Sequence, residues 1–180
     1  MGFEVETGNA SPTANSYVAI ADADAYHTLY QNLDWATDGS IPDATKQLAL
    51  MHASKACDLL FGQQYLSMPA TSAQAMLFPR FTFVVNQRQL ISSTTIPPQL
   101  KNAVCELALL YLDGTDIYPT PNTTAQVQSE SIKVGDITNN TTFAHAPNVE
   151  QFTGFWHVEM LLTPIMKGRG IANNSNAFGH

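Results

Sequence analysis

The side chains able to do chemistry are few, and their spacing does not suit it. Five histidines, His27, His52, His145, His157 and His180, are scattered along the chain. None falls into the H-E-x-x-H or similar spacing that sets two imidazoles on one helix face around a metal. His157 and Glu159 stand two residues apart, which points them to different faces of a helix, so they form no metal pair. A surface or packing role is the reading for each histidine. Cys57 and Cys105 lie inside strong helical patterns, with no second Cys or His at ligand spacing. They read as two buried thiols acting as small apolar residues; the sharper alternative is a disulfide or a metal pair. Asp22 and Asp24 could be paired carboxylates, but carboxylates in a first helical turn complement the positive end of the dipole, a simpler role. Gly168-Arg169-Gly170 offers one cation without interleaved aromatics, too little for a nucleic-acid box. P-loop, Rossmann and nucleophile-elbow motifs are missing. The expectation is a protein with no cofactor and no metal that is not an enzyme; catalytic groups converging from distant segments are the third-ranked alternative.

The elements that hold these residues are mainly helical. A first helix is expected over about 21–33, burying Ala25, Tyr26 and Leu29 by 3–4 spacing, after a short extended stretch Tyr17–Ile20. Pro42 and Asp43 open a second helix, in which Leu50, Ala53, Cys57 and Leu60 mark one buried stripe that ends near Phe61 and Gly62. Residues 73–77 suit a turn or two of helix before Pro79, with Phe78 turning inward and Arg80 remaining outside. Phe81–Val85 has the β-branched and aromatic content of a short strand, and Ser92–Thr95 reads as loop. Pro97-Pro98 opens the strongest helix, with Leu100, Ala103, Val104, Leu107 and Tyr111 on one face and Gly114 at its close. Val127 to Thr142 suits an exposed hairpin turning near Gly135-Asp136. A last helix is expected over about 155–166 through Val158, Leu161 and Leu162, with Pro164 weakening its end.

The fold class expected is therefore mainly α with a small β portion. It comprises a bundle of three to four helices, an exposed β-hairpin, a flexible N-terminal arm (1–16) and a flexible C-terminal tail (167–180). A single domain spans 17–166 with the hairpin inserted at 126–143. Tyr26, Leu50, Phe78 and Leu107 are the candidate core anchors, and helices two and three form the centre.

At 180 residues the chain can bury one real core. Charged residues make up 13%, roughly half the usual share, and Thr, Ser, Asn and Gln stand in their place. Neutral polar groups cost far less to bury than ions, which suits a surface that ends up inside an assembly. Net charge is −7, and the eight basic residues are dispersed. No stretch can neutralise several phosphates, the main source of nucleic-acid affinity. The N-terminus lacks the basic start and apolar run of a signal peptide, and no run approaches the length needed to span a bilayer. The expectation is a soluble, intracellular-type chain with no membrane association.

Several segments, taken in order, resemble a family of bacteriophage head–tail connector (adaptor) proteins, often filed under a DnaT-like single-stranded-DNA-binding label. Asn15-Ser16-Tyr17-Val18 followed by Ala21-Asp22-Ala23-Asp24-Ala25-Tyr26-His27 is similar to its N-S-Y-V…A-E-A-D-A-Y start. Ala49 to Ser54 resembles its A-L-I-R-A-T core, with His52 where the family has a basic residue. Gln74 to Arg80 resembles Q-A-L-x-W-P-R, with Phe78 in place of Trp. Ile96-Pro97 and Glu106 to Leu109 match I-P…E-L-A-L, and Leu161-Leu162-x-Pro164-Ile165 resembles L-L-x-P-L. The likeness covers most of residues 5–166; the stretch 81–95 has no counterpart.

The resemblance implies a structural protein without catalytic residues, forming a ring of twelvefold symmetry between the portal protein and the tail or next connector. DNA is then only transiting cargo, and the location is the virion neck, with the host cytoplasm during assembly. Arg80, Ile132, Lys133, Val134, Lys167 and Arg169 are the candidate assembly contacts. Negative charge suits a channel that DNA slides through without sticking. The alternative is a single-stranded-DNA-binding module, which needs a basic groove with stacking aromatics; Arg80 beside Phe78 and Phe81 is the local hint of one.

Overall fold

Prolines set the boundaries of the two longest helices. In the computed structural model, which describes residues 2–37, 39–85, 88–118, 129–134, 137–142 and 155–167, Pro42 caps a helix over Asp43–Phe61 and Pro97 caps one over Pro98–Leu112. A proline at a helix start gives up an amide that has no intrahelical partner anyway. These two helices, α2 and α3, follow a shorter α1 over Ile20–Leu29, and α4 covers Trp156–Leu162. Single turns of 3₁₀ helix occupy Leu33–Trp35, Gly62–Gln64 and Thr163–Ile165.

The chain divides into two compact units, one of Met1–Ile117 with His157–His180 and one of Tyr118–Trp156. In the first, α2 packs along α3. The two helices bury Leu50, Leu100 and Leu107 together with Ala49, Ala53, Ala56, Ala103 and Ala108, all fully enclosed. Each buried leucine contributes about 1.5–3 kcal/mol over an exposed one. Leu60, expected in the same stripe, is only half-buried. A small antiparallel pair, β1 (Phe83–Val85) with β2 (Gln89–Ile91), is registered Phe83 to Ile91 and Val85 to Gln89. The partner strand was not expected: three residues carry too short a pattern to separate from loop. The second unit contains a hairpin of β3 (Ser129–Val134) and β4 (Ile137–Thr142), with Val134 opposite Ile137. Its expected turn, Gly135-Asp136, lies outside the described residues.

Four expectations need correction. Helix α1 ends at Leu29 and buries Ala23 and His27, not Ala25 or Leu29; Leu29 is 75% exposed. Apolar residues surround this helix, so periodicity selects no face, and the choice falls to His27, which stacks on the buried Trp35 with ring centroids 4.5 Å apart. Tyr17 and Val18 are buried but form no strand.

The N-terminal segment is no free arm over its described part. The Glu6 carboxylate, 1% exposed, accepts hydrogen bonds from the amides of Gly8, Ala10 and Ser11, and Val5 bridges Ser16 in parallel. Gly8, at φ +106°, lies so close to the next loop that a Cβ there would stand 1.9 Å from the Thr94 carbonyl oxygen. Only glycine fits both constraints.

Residues 73–77 are not helical, because tertiary acceptors take their amides. Ala75 N–H donates to the Ser11 carbonyl and Leu77 N–H to the Asp58 carboxylate.

Candidate functional site

The loop that follows is organised around a buried hydroxyl and carboxylate. The Tyr17 hydroxyl donates to the Asp58 carboxylate at 2.8 Å and accepts the Phe78 amide at 3.1 Å. Three segments distant in sequence are thereby tied at one point: the N-terminal segment, α2 and the loop before β1. Phe78 is fully buried and meets Tyr17, Tyr65 and Phe83 edge-on, at centroid separations of 6.3, 5.0 and 6.4 Å. The Phe78–Pro79 bond is cis.

Arg80, expected outside, is 5% exposed. Its guanidinium donates to the carbonyls of Leu66, Ser67 and Leu77 and lies over the Tyr65 and Phe78 rings. The planar fork of donors fits several carbonyls at once, which a lysine could not match.

Burial pushes the Asp58 carboxyl up to about 6 from its ordinary 3.8, against the hydrogen bonds from Leu77 and Tyr17 and the charge of Arg80. The phenol of Tyr17, itself raised by burial, remains a donor. A carboxyl raised in the fold binds its proton more tightly there than in the unfolded chain. Its contribution to stability is thus fully present below pH 3.8 and is lost as pH rises through about 6. Asp58→Asn should flatten the dependence of the thermal midpoint on pH across that window, relative to wild type, in parallel melts. Equal slopes in the two proteins would rule out Asp58 as the titrating group.

A second buried charge lies between α1 and α2. Lys46, 2% exposed, reaches the Asp24 carboxylate at 2.8 Å and sits 5.3 Å from the centroid of the Trp35 ring. The Trp35 indole N–H donates to the same carboxylate at 2.6 Å. Asp24 is therefore a tertiary anchor as well as an early-helix acid. Asp22 faces Lys101 at 3.1 Å on the surface. Glu106 accepts the Tyr26 hydroxyl at 2.7 Å and has His157 at 3.8 Å. Tyr26 is thus half-buried and held by its hydroxyl, whereas Leu50, Phe78 and Leu107 are fully enclosed.

Cys57 and Cys105 are free and buried; burial raises Cys57 well above the usual thiol value and Cys105 to about 12. No group of three or more metal-ligating residues gathers among the described residues, and no described helix is long and apolar enough to cross a membrane.

Of the candidate assembly contacts, Ile132, Lys133 and Val134 lie on β3, opposite Asn139, Thr138 and Ile137. Lys167 is tied to the segment after α2, its amide donating to the Gln64 carbonyl and its ammonium to that of Gln63. Arg169 and the rest of the tail lie outside the described residues.

Sequence reasoning missed Asp58, Glu6 and the Asp24–Trp35–Lys46 cluster. For Lys46 a signal was available: it stands four residues before Leu50, on the stripe that continues to Ala53 and Cys57.

The outer face of α2 carries an apolar groove of about 530 Å³, lined by Leu48, Met51, Lys55, Leu59 and Leu77, with Asp58 in its wall. Elsewhere on this unit Leu33, Phe81, Val84 and Leu90 are exposed.

Compared with known proteins, the chain matches the profile of the family described as "Putative DnaT-like ssDNA binding protein" over residues 1–178. No curated protein and no solved structure matches it.

Proposed function

The chain belongs to the family described as "Putative DnaT-like ssDNA binding protein"; we propose that it acts as a structural head–tail connector of a bacteriophage, the role that its resemblance to connector proteins implies. As such it is one subunit of a ring between the portal protein and the tail or next connector, and DNA passes it as cargo. The observation that carries this reading is the exposure of large apolar side chains on a weakly charged chain whose two buried cations are engaged within the fold. Lys46 and Arg80 are buried and bonded within the fold, and Lys101 faces Asp22. A phosphate-binding surface presents its cations to solvent and draws its affinity from them. This surface instead exposes Leu29, Leu33, Leu59 and Leu90 on a chain of 13% charged residues. Exposed apolar side chains mark protein–protein contact where they gather into a patch, as Leu29 and Leu33 do in sequence at the end of α1 and Leu48 and Leu59 do along the α2 groove. The proposed partners are the portal, the tail side and further copies of the chain; twelvefold symmetry and the virion neck come from the family resemblance. No catalytic step is assigned.

The family description itself favours a second reading, a single-stranded-DNA-binding module. That function needs a basic groove with stacking aromatics, and the acidic balance of −7 opposes it. The expected result of a fluorescence-anisotropy titration with single-stranded DNA at physiological salt is no submicromolar binding. Such binding would transfer the assignment to the second reading. Reconstruction of the portal vertex from intact particles tests the first. A vertex fully accounted for by other chains, with this protein absent from purified virions, would sink it.

A further inference from the structure

Two apolar features of the first unit lie on opposite sides of α2. One is a ledge where α1 ends: Leu29 is 75% exposed and Leu33 86%, with Tyr30 between them and exposed Asp34 beside Leu33. The other is the groove walled by Leu48, Met51, Leu59 and Leu77, with Lys55 at its lining. Lys46 marks the side of α2 that faces α1, since it reaches Asp24. At 100° per residue, Leu48 and Leu59 sit roughly 140–160° around the helix from it. The groove is therefore turned away from the helix that carries the ledge.

A patch that meets itself across a twofold axis closes a dimer. A projecting patch complementary to a hollow elsewhere on the molecule gives a heterologous, head-to-tail contact, which builds rings or filaments. Apolar character and the Asp34–Lys55 pair of opposite charges match here. The ledge presents two nearly bare leucines and a carboxylate; the groove is an apolar concavity whose exposed charge is the Lys55 ammonium, with Asp58 in its wall tied to Tyr17 and Leu77. Neither Asp34 nor Lys55 makes an ion pair among the described residues.

We propose that the ledge at the end of α1 seats in the α2 groove of a second copy of this chain, with Asp34 meeting Lys55. This assignment rests on the reading of the chain as a ring subunit and names the surfaces that join neighbours.

Cysteine cross-linking on the full chain tests it, because Cys57 and Cys105 are buried and leave engineered thiols as the reactive ones. Leu33→Cys and Leu59→Cys both replace exposed side chains, so neither removes core. Under mild oxidation at high protein concentration, a mixture of the two variants should give a cross-linked dimer that neither gives alone, and the double variant should give a ladder. Lys55→Glu added to the groove variant should reduce the yield, and Asp34→Lys on the ledge variant should restore it. Dimers of Leu33→Cys alone, in the yield of the mixture, would mean a symmetric contact and overturn the proposal. So would a mixture that forms no cross-link, or a yield indifferent to both charge changes. The connector reading is judged separately, at the portal vertex. Cross-links with the chain missing from the neck leave the head-to-tail contact standing and remove the connector. A chain present in the neck without cross-links removes only these surfaces.

Discussion

Phe78→Ala should lower the stability of the first unit by about 3–5 kcal/mol, the usual cost of truncating an enclosed phenylalanine. The site leaves little room for relaxation. The ring is fully buried against Tyr17, Tyr65 and Phe83, and the Arg80 guanidinium lies 5.6 Å from its centroid. Three of those four neighbours are held by bonds of their own: Tyr17 to Asp58, Tyr65 to the Cys57 carbonyl, Arg80 to its three carbonyls. They cannot easily collapse into the space. Urea denaturation gives the loss as a shift of midpoint at constant slope. Phe78→Leu, which keeps most of the volume, should retain much of the stability. An unchanged midpoint for the alanine variant would show that the ring anchors nothing.

The second large effect is expected at Arg80. Removing the guanidinium leaves the part-buried carbonyls of Leu66, Ser67 and Leu77 without their donor, where a fully buried acceptor so stranded costs about 1–3 kcal/mol. Water will reach some of them, so the expected loss for Arg80→Ala is on the order of 3 kcal/mol in the same denaturation measurement. Arg80→Lys should recover only part of it, because an ammonium is a point charge without the planar fork. A lysine variant as stable as wild type would mean that charge alone holds the loop.

Legibility of the fold in the sequence followed how local each cause is. α2 and α3 could be read because leucines and alanines recur every three or four residues behind a proline start, a pattern complete within one segment. The side that α1 buries could not, because Ile20, Ala23, Ala25, Tyr26 and Leu29 cover every side of it. The inward turn of Phe78 was legible from its place before Pro79. The burial of Arg80 was not, since two of its acceptors lie at residues 66 and 67. The same holds for the N-terminal segment, whose polar composition suggests a free arm. What folds it is one carboxylate, Glu6, collecting amides that no periodicity announces. The candidate surfaces were least legible. Exposure of Leu29, Leu33 and Leu59 depends on which face each helix turns inward, and that is settled by packing between elements.

The two native thiols have a practical consequence. Only a thiolate reacts readily with alkylating reagents, and Cys57 and Cys105 are both enclosed and held protonated, on α2 and α3 respectively. Modification of either at neutral pH must await separation of that helix pair, so the chain carries its own clock for opening of the core. With reagent in excess, the labelling rate reads out the free energy of that event under native conditions, in the manner of hydrogen exchange. It does so without a denaturant and without a probe added to the surface where neighbours are proposed to meet.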